Sequence, residues 1–262
     1  MIANTLLVLA TAALAAATPI NKPGGARCKG ANPVLPVNGD FPELPAPPAG
    51  ARLKRIALGY GIQNYTCAGA DAAPVATGAL AGLFDITPLY PNPEDPKSLD
   101  QATFDRLTAM VVESASKNIP LHLVSTLPDR VPNAAPGADA SKPFLPTKDL
   151  PVPGLAGVKL KHTGEHFFTD AGVPMFKLDD GLSIQCAKLD GFNAPKSAAV
   201  GPHGEAAVAW LRLGVKEGTE GKGTNGLKFV YRVETSGGSS HGCKDGGASD
   251  SSFYTAAYWF YG

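Results

Sequence analysis

Three groups of residues in this chain have spacings associated with chemistry. Gly221-Lys-Gly223-Thr-Asn-Gly226 matches G-x-G-x-x-G. That fingerprint holds a dinucleotide only where a helix N-terminus follows to face the pyrophosphate. Here Leu227 to Glu234 alternates as a strand, and the chain ends at Gly262, too soon for the rest of a nucleotide-binding fold. The glycines therefore predict a hairpin loop over 218–226, and no nicotinamide cofactor is expected. His162-x-x-x-His166 has the i, i+4 spacing of a metal pair on a helix. Gly164 and β-like neighbours argue for a strand instead, which would put the two histidines ~13 Å apart. His203 or His241 could complete a site, but nothing in the sequence places them. No metal is expected.

Acyl-transfer chemistry has no G-x-S-x-G elbow to support it. Ser236-Gly-Gly-Ser-Ser240-His241 brings Ser and His close in sequence, but it reads as a loop leading to Cys243. Glu165, Asp179, Asp180 and Glu205 are among the acids of the β-rich half. Their geometry is spatial, and Asp179-Asp180-Gly181 is explained as a turn. His166, flanked by Phe167 and Phe168, is the best single-residue candidate. It is either a ligand or acid/base group whose burial lowers its pKa, or a structural histidine bonded to a loop carbonyl. Trp210 and Trp259 are binding candidates of lower rank, since an aromatic strand could line a sugar groove or simply pack a core.

The elements that must position these residues are mostly strands. Gly 30 and Pro 24 among 262 residues exceed ordinary usage and favour many turns over a helical bundle. Arg55–Gly59 and Gly61–Cys67 read as a strand pair broken at the glycines. Gly78 to Thr87 is apolar and of undecided type. His122 opens a short strand, and 127–156 is a Pro- and Ala-rich connection. Strands follow at 158–162, 173–178, 182–186, 207–213 and 227–234. Phe253 to Tyr261 carries aromatics on both faces, as a central, doubly covered strand does. One amphipathic helix is predicted over about 100–117: Ser98 and Gln101 suit a capping box, and Phe104, Leu107, Val111 and Ala115 share a face. The fold expected is mainly β: an antiparallel β-sandwich or barrel-like domain with that helix and long Pro/Gly-rich loops.

The first 19 residues carry no charged side chain, and an apolar run ends in Ala15-Ala16-Ala17-Thr18 before Pro19. That predicts a secretory signal peptide over 1–18. It is too short for a membrane span. A Pro-rich arm over 19–50 and a single β-rich domain over 51–262 complete the organisation. Lys+Arg and Asp+Glu balance at 23 each. A neutral chain has no electrostatic footprint for nucleic acid or anionic lipid. Four cysteines, Cys28, Cys67, Cys186 and Cys243, predict two disulfides with three possible connectivities and no free thiol. Asn64-Tyr65-Thr66 is a glycosylation sequon. A solvent-facing Asn64 would accept a glycan, and a buried one would leave the sequon unused.

Several segments together resemble the fungal branch of the domain of unknown function 3455 family. They are Gly61-Ile-Gln-Asn-Tyr-Thr-Cys67, Gly78-Ala-Leu-Ala-Gly-Leu-Phe-Asp85-Ile86-Thr87, Gly164-Glu-His166-Phe-Phe, Ala209-Trp-Leu-Arg-Leu213, Tyr231-Arg-Val-Glu-Thr-Ser-Gly-Gly238 and Tyr258-Trp-Phe-Tyr261. The resemblance spans about 55–261 and implies secretion, but no established activity. Members of that branch often bear the label malate dehydrogenase, which the loop argument above does not support. The resemblance also implies the pairing Cys67–Cys243 and, by remainder, Cys28–Cys186. The function expected is a secreted extracellular or cell-wall-associated binding module, monomeric, with a polysaccharide or wall component as partner. The alternative is a secreted hydrolase acting on wall or host polymers. Whether the chain is an enzyme stays open at this level.

Overall fold

The computed structural model describes residues 33–39, 42–115, 149–169, 171–243 and 249–262. The expected signal peptide, Cys28, the strand at His122 and most of the 127–156 connection lie outside the described residues. Strands in chain order are β1 Leu53–Thr66, β2 Val75–Asp85, β3 Leu150–Pro151, β4 Lys159–Phe168 and β5 Pro174–Leu178. They continue with β6 Ser183–Phe192, β7 Trp210–Val215, β8 Phe229–Gly237 and β9 Ser249–Tyr261. The sheet order is β2-β1-β9-β8-β7-β6-β5-β4, and β2 also pairs with β4. All these pairings are antiparallel. The result is a closed eight-stranded up-and-down barrel, with β3 as an extra short strand on β4. Of the two architectures expected, the barrel is the one formed. Closure by β2 and β4 leaves no open sheet edge along those strands.

Two apolar clusters divide the core, one on each side of the barrel wall. The interior cluster includes Ala57, Ala81, Leu83, Phe176, Ile184, Cys186, Val230, Tyr254, Tyr258 and Phe260. The outer cluster joins Ile56, Tyr60, Tyr231, Val233 and Trp259 to Phe104, Leu107 and Val111. β9 supplies both, which is why its aromatics point both ways and all its side chains from Asp250 to Tyr261 are buried. Small residues of β1 and β2 face large ones of β9 and β5, the complementarity that fills a narrow barrel.

Strand β1 runs unbroken through Gly59 and Gly61, correcting the expected pair of strands. The glycines make room rather than end the strand. A Cβ at Gly59 would sit 2.4 Å from the Tyr258 ring, and one at Gly61 would sit 2.0 Å from the Leu80 carbonyl oxygen.

The predicted helical face is buried as expected, at Phe104, Leu107, Val111 and Ala115. The helix itself is shorter and interrupted: α1 spans Gln101–Asp105 and α2 spans Leu107–Val112. Residues beyond 115 lie outside the described residues. The cap also differs. Asp100, not Ser98, accepts from Thr103 N at 3.0 Å and Thr103 Oγ1 at 2.7 Å. The Ser98 hydroxyl is spent on the Asn92 and Asp95 carbonyls. Thr255 donates to the Thr108 carbonyl at 2.8 Å, fastening α2 to the barrel wall.

Cys67 and Cys243 form a disulfide. Cys186 is a free, buried thiol, so the implied Cys28–Cys186 bridge and the expectation of no free thiol are not met at Cys186. The reason lies in strand alternation. Ile184 and Cys186 both face the barrel interior, where burial pushes the thiol pKa well up and keeps it inert.

Gly164 sits at the closure seam with φ +150, and a Cβ there would lie 2.2 Å from the Lys177 carbonyl oxygen. Backbone must move to admit it. Gly164→Ala is expected to lower stability by ~1–3 kcal/mol, the usual cost of overpacking. Denaturant unfolding measures it, and a loss under ~0.5 kcal/mol would contradict the close approach.

Candidate functional site

The bulge at Gly164 decides where two candidate histidines go. Register slips between Leu83 and Phe84 opposite Gly164 and His162. His162 therefore packs edge-on against Phe84 of the outer cluster, with Nδ1 3.4 Å from Asp179 Oδ2. His166 lies inside, 4% exposed. Its ring stacks on Phe176 at 4.0 Å, and its Nδ1 lies 2.9 Å from the Met175 carbonyl, to which Nδ1–H donates. Burial lowers its pKa to about 4, partly opposed by that hydrogen bond. At that exposure His166 offers almost no surface to a ligand. Nearby, Arg232 donates through Nε and Nη2 to the Ala209 carbonyl, and the Tyr254 and Tyr258 hydroxyls are 3.0 Å apart. These groups satisfy one another.

Trp210 and Trp259 have a different setting. Both line a cleft of about 770 Å³ outside the barrel. One bank is the proline-rich arm near Val34 to Asn38, the other is α1 and α2, and Tyr90 and Glu234 also line it. The arm is held by Val34 N donating to the Tyr90 hydroxyl at 3.0 Å and Asn38 Nδ2 donating to the Asn193 carbonyl at 2.9 Å. Tyr90 packs edge-on against Trp259 and Phe104. Neither indole N–H, at Trp210 or Trp259, has a hydrogen-bond partner.

Glu234 gives the cleft its chemistry. The register of β8 on β9 slips between Val233 and Ser236, and Glu234 adopts φ +48, a conformation that costs a non-glycine residue free energy. Without this bulge, alternation after Val230 and Arg232 would turn Glu234 into the barrel. Instead its carboxyl hydrogen-bonds Asp105 of α1. Burial first, then the Asp105 charge and hydrogen bond, raise its pKa to about 8. A neutral carboxylic acid is thus held in the cleft at neutral pH. Glu234 is not legible as a site residue in the sequence, because a Glu inside an alternating strand carries no sign of a bulge.

A second cluster forms where β8 leaves the barrel and β9 enters it. His203, Glu205 and His241 offer donor atoms within 4.8 Å of one another. Asp250 accepts from Ser240 Oγ at 2.5 Å and His241 N at 2.8 Å. Burial would raise the Asp250 pKa, but these hydrogen bonds outweigh it and hold it low. Ser240 is committed to Asp250 rather than to a histidine. Ser252 Oγ donates to the Ser239 carbonyl and lies 3.5 Å from His241 Nδ1, but that nitrogen faces Asp250 Oδ1 at 2.9 Å and is not free to act as its base. The other acids do not converge: Glu165 is exposed on β4, and Asp180 accepts from Arg55 at the 179–181 turn. The sequon residue Asn64 is half-buried in β1, its Oδ1 accepting from Ser251.

The G-x-G-x-x-G segment lies in the β7–β8 connection, and β8 rather than a helix follows it. No curated protein and no solved structure matches this chain. The model of the protein of unknown function family DUF3455 matches residues 48–262, which takes in the barrel, both helices and Glu234 but not the Val34–Asn38 bank of the cleft, and the chain belongs to that family.

Proposed function

We propose that the protein is a secreted, extracellular or cell-wall-associated binding module, monomeric, whose cleft takes a neutral, hydroxyl-rich polymer such as a polysaccharide. One observation carries this reading: an aromatic-lined cleft presents a carboxyl group kept protonated by burial and by Asp105. Half-buried Tyr90 can offer an aromatic face to a sugar ring, while Trp210 and Trp259 line the cleft nearly wholly buried, and a neutral carboxyl can both donate and accept hydrogen bonds without demanding a charged ligand. The zero net charge agrees with a neutral partner. The uncharged N-terminal run supports secretion, as does the Cys67–Cys243 disulfide.

The raised pKa of Glu234 favours a second reading, a hydrolase with Glu234 as general acid. The position of Asp105 weighs against it. Paired carboxyls of glycoside hydrolases stand ~5–9.5 Å apart to admit the scissile bond or a water. Glu234 and Asp105 hydrogen-bond each other and leave no such gap.

A polysaccharide array probed with purified mature protein, with reducing-end release measured in parallel, tests the choice. Binding without release is expected. Glu234→Gln should retain affinity, since an amide still donates, and wild-type affinity should fall as pH rises through about 8 and the carboxyl ionises. Sugar release that Glu234→Gln abolishes would establish the hydrolase instead.

A further inference from the structure

We propose that His203, Glu205 and His241 form a divalent transition-metal site, for which Zn²⁺ is the fitting ion. Glu205 is the centre of the site. Its side chain is wholly buried, and Oε1 has no hydrogen-bond partner. Oε2 is already used, accepting from the His203 backbone N–H at 2.8 Å. A buried carboxylate oxygen without a hydrogen bond is costly unless a cation faces it. That oxygen points between two imidazoles, 3.3 Å from His241 Nε2 and 3.7 Å from His203 Nδ1. Donors around a tetrahedral zinc ion lie about 3.4 Å apart, given metal–donor bonds of about 2.1 Å. The two Glu205 pairs already match that spacing, and the donor set as a whole, within 4.8 Å, must contract by up to about 1.4 Å at its widest pair to close on an ion.

The surroundings prepare His241 for this role. Its Nδ1 lies 2.9 Å from Asp250 Oδ1, which fixes Nδ1 as the protonated nitrogen and turns the Nε2 lone pair toward Glu205. Asp250 is itself held by Ser240 and the His241 backbone. This is the carboxylate–histidine–metal arrangement that orients a ligand and raises its basicity. The turn Gly201-Pro-His203-Gly204 supplies the other side, closed by Gly201 N donating to the Glu205 carbonyl at 2.8 Å. Its crowding is specific: a Cβ at Gly201 would sit 2.4 Å from Glu205 Oε2. The Cys67–Cys243 disulfide ties down the loop that carries His241. His203 is half-exposed, so a three-ligand site would keep an open position toward solvent. Two nitrogens and one carboxylate oxygen suit zinc and its first-row neighbours, not calcium or magnesium.

The test titrates Zn²⁺ alone into the chelator-stripped, disulfide-intact chain, read by calorimetry and thermal melting. One ion per chain should bind with micromolar or tighter affinity and raise the melting temperature. His203→Ala, at an exposed position, should weaken binding at least tenfold without unfolding the protein. Asp250→Asn should weaken it by roughly 10–100-fold through His241. His162→Ala should leave binding unchanged. Absence of saturable Zn²⁺ binding by the wild type, or equal affinity in His203→Ala, would overturn the proposal. Loss of binding in His162→Ala alone would do so too.

Discussion

Replacing Cys67 and Cys243 by alanine is expected to lower stability by about 4–5 kcal/mol. The bridge closes a sequence separation of 176 residues, joining the end of β1 to the β8–β9 connection. Its effect acts mainly on the unfolded chain, whose freedom a loop of that length strongly curtails. Denaturant unfolding of the double variant against the oxidised wild type measures the loss. A difference under ~1 kcal/mol would mean that the denatured state is already compact across this closure.

Acid sensitivity should report His166. Its folded pKa is about 4 against an ordinary 6.5. Between those values the unfolded chain takes up a proton that the folded chain refuses. Stability from this site is therefore whole above pH 6.5 and lost as pH falls toward 4, by about 3 kcal/mol in all. Glu234 has the opposite sign. Its folded pKa of about 8 means that the folded chain holds the extra proton, so its contribution weakens as pH rises from 4.5 to 8. Comparison with His166→Gln isolates the histidine, because all other groups titrate alike in both proteins. The wild type should lose about 3 kcal/mol more than the variant between pH 6.5 and 4. Parallel pH profiles would show that His166 is accessible to protons in the fold. At neutral pH, His166→Ala should cost ~1–3 kcal/mol, from the Met175 carbonyl left without its donor.

The strands whose alternation is clean were legible from sequence. β8 and β9 read correctly because one face of each lies in the barrel interior and the other under α2 or beside it. The buried face of the helix read correctly too, since Phe104, Leu107 and Val111 follow the helical period regardless of where the cap sits. What failed were features set by distant partners. Gly59 and Gly61 look like strand breaks until the Tyr258 ring and the Leu80 carbonyl are placed beside them. Closure between β2 and β4 is a pairing across an insertion, invisible to local periodicity. The sites were harder still. Glu234 reaches Asp105 only through a bulge, and His203, Glu205 and His241 come from two loops separated by all of β7 and β8. Trp210 and Trp259 were legible as aromatic candidates, but only folding sets both beside one cleft.

That coincidence provides the most direct test of the binding function. The chain has two tryptophans, and both line the cleft. A proton–nitrogen correlation spectrum of labelled protein should therefore show two indole N–H signals. Titration with the polysaccharide fragment selected on the array should shift both, saturably and with one dissociation constant. The same fragment should move neither signal by the same path in a variant with the cleft filled, such as Ala109→Trp compared at its two original resonances. A fragment that binds tightly by calorimetry yet leaves both wild-type indole signals in place would contradict the account, because its site would lie elsewhere on the barrel.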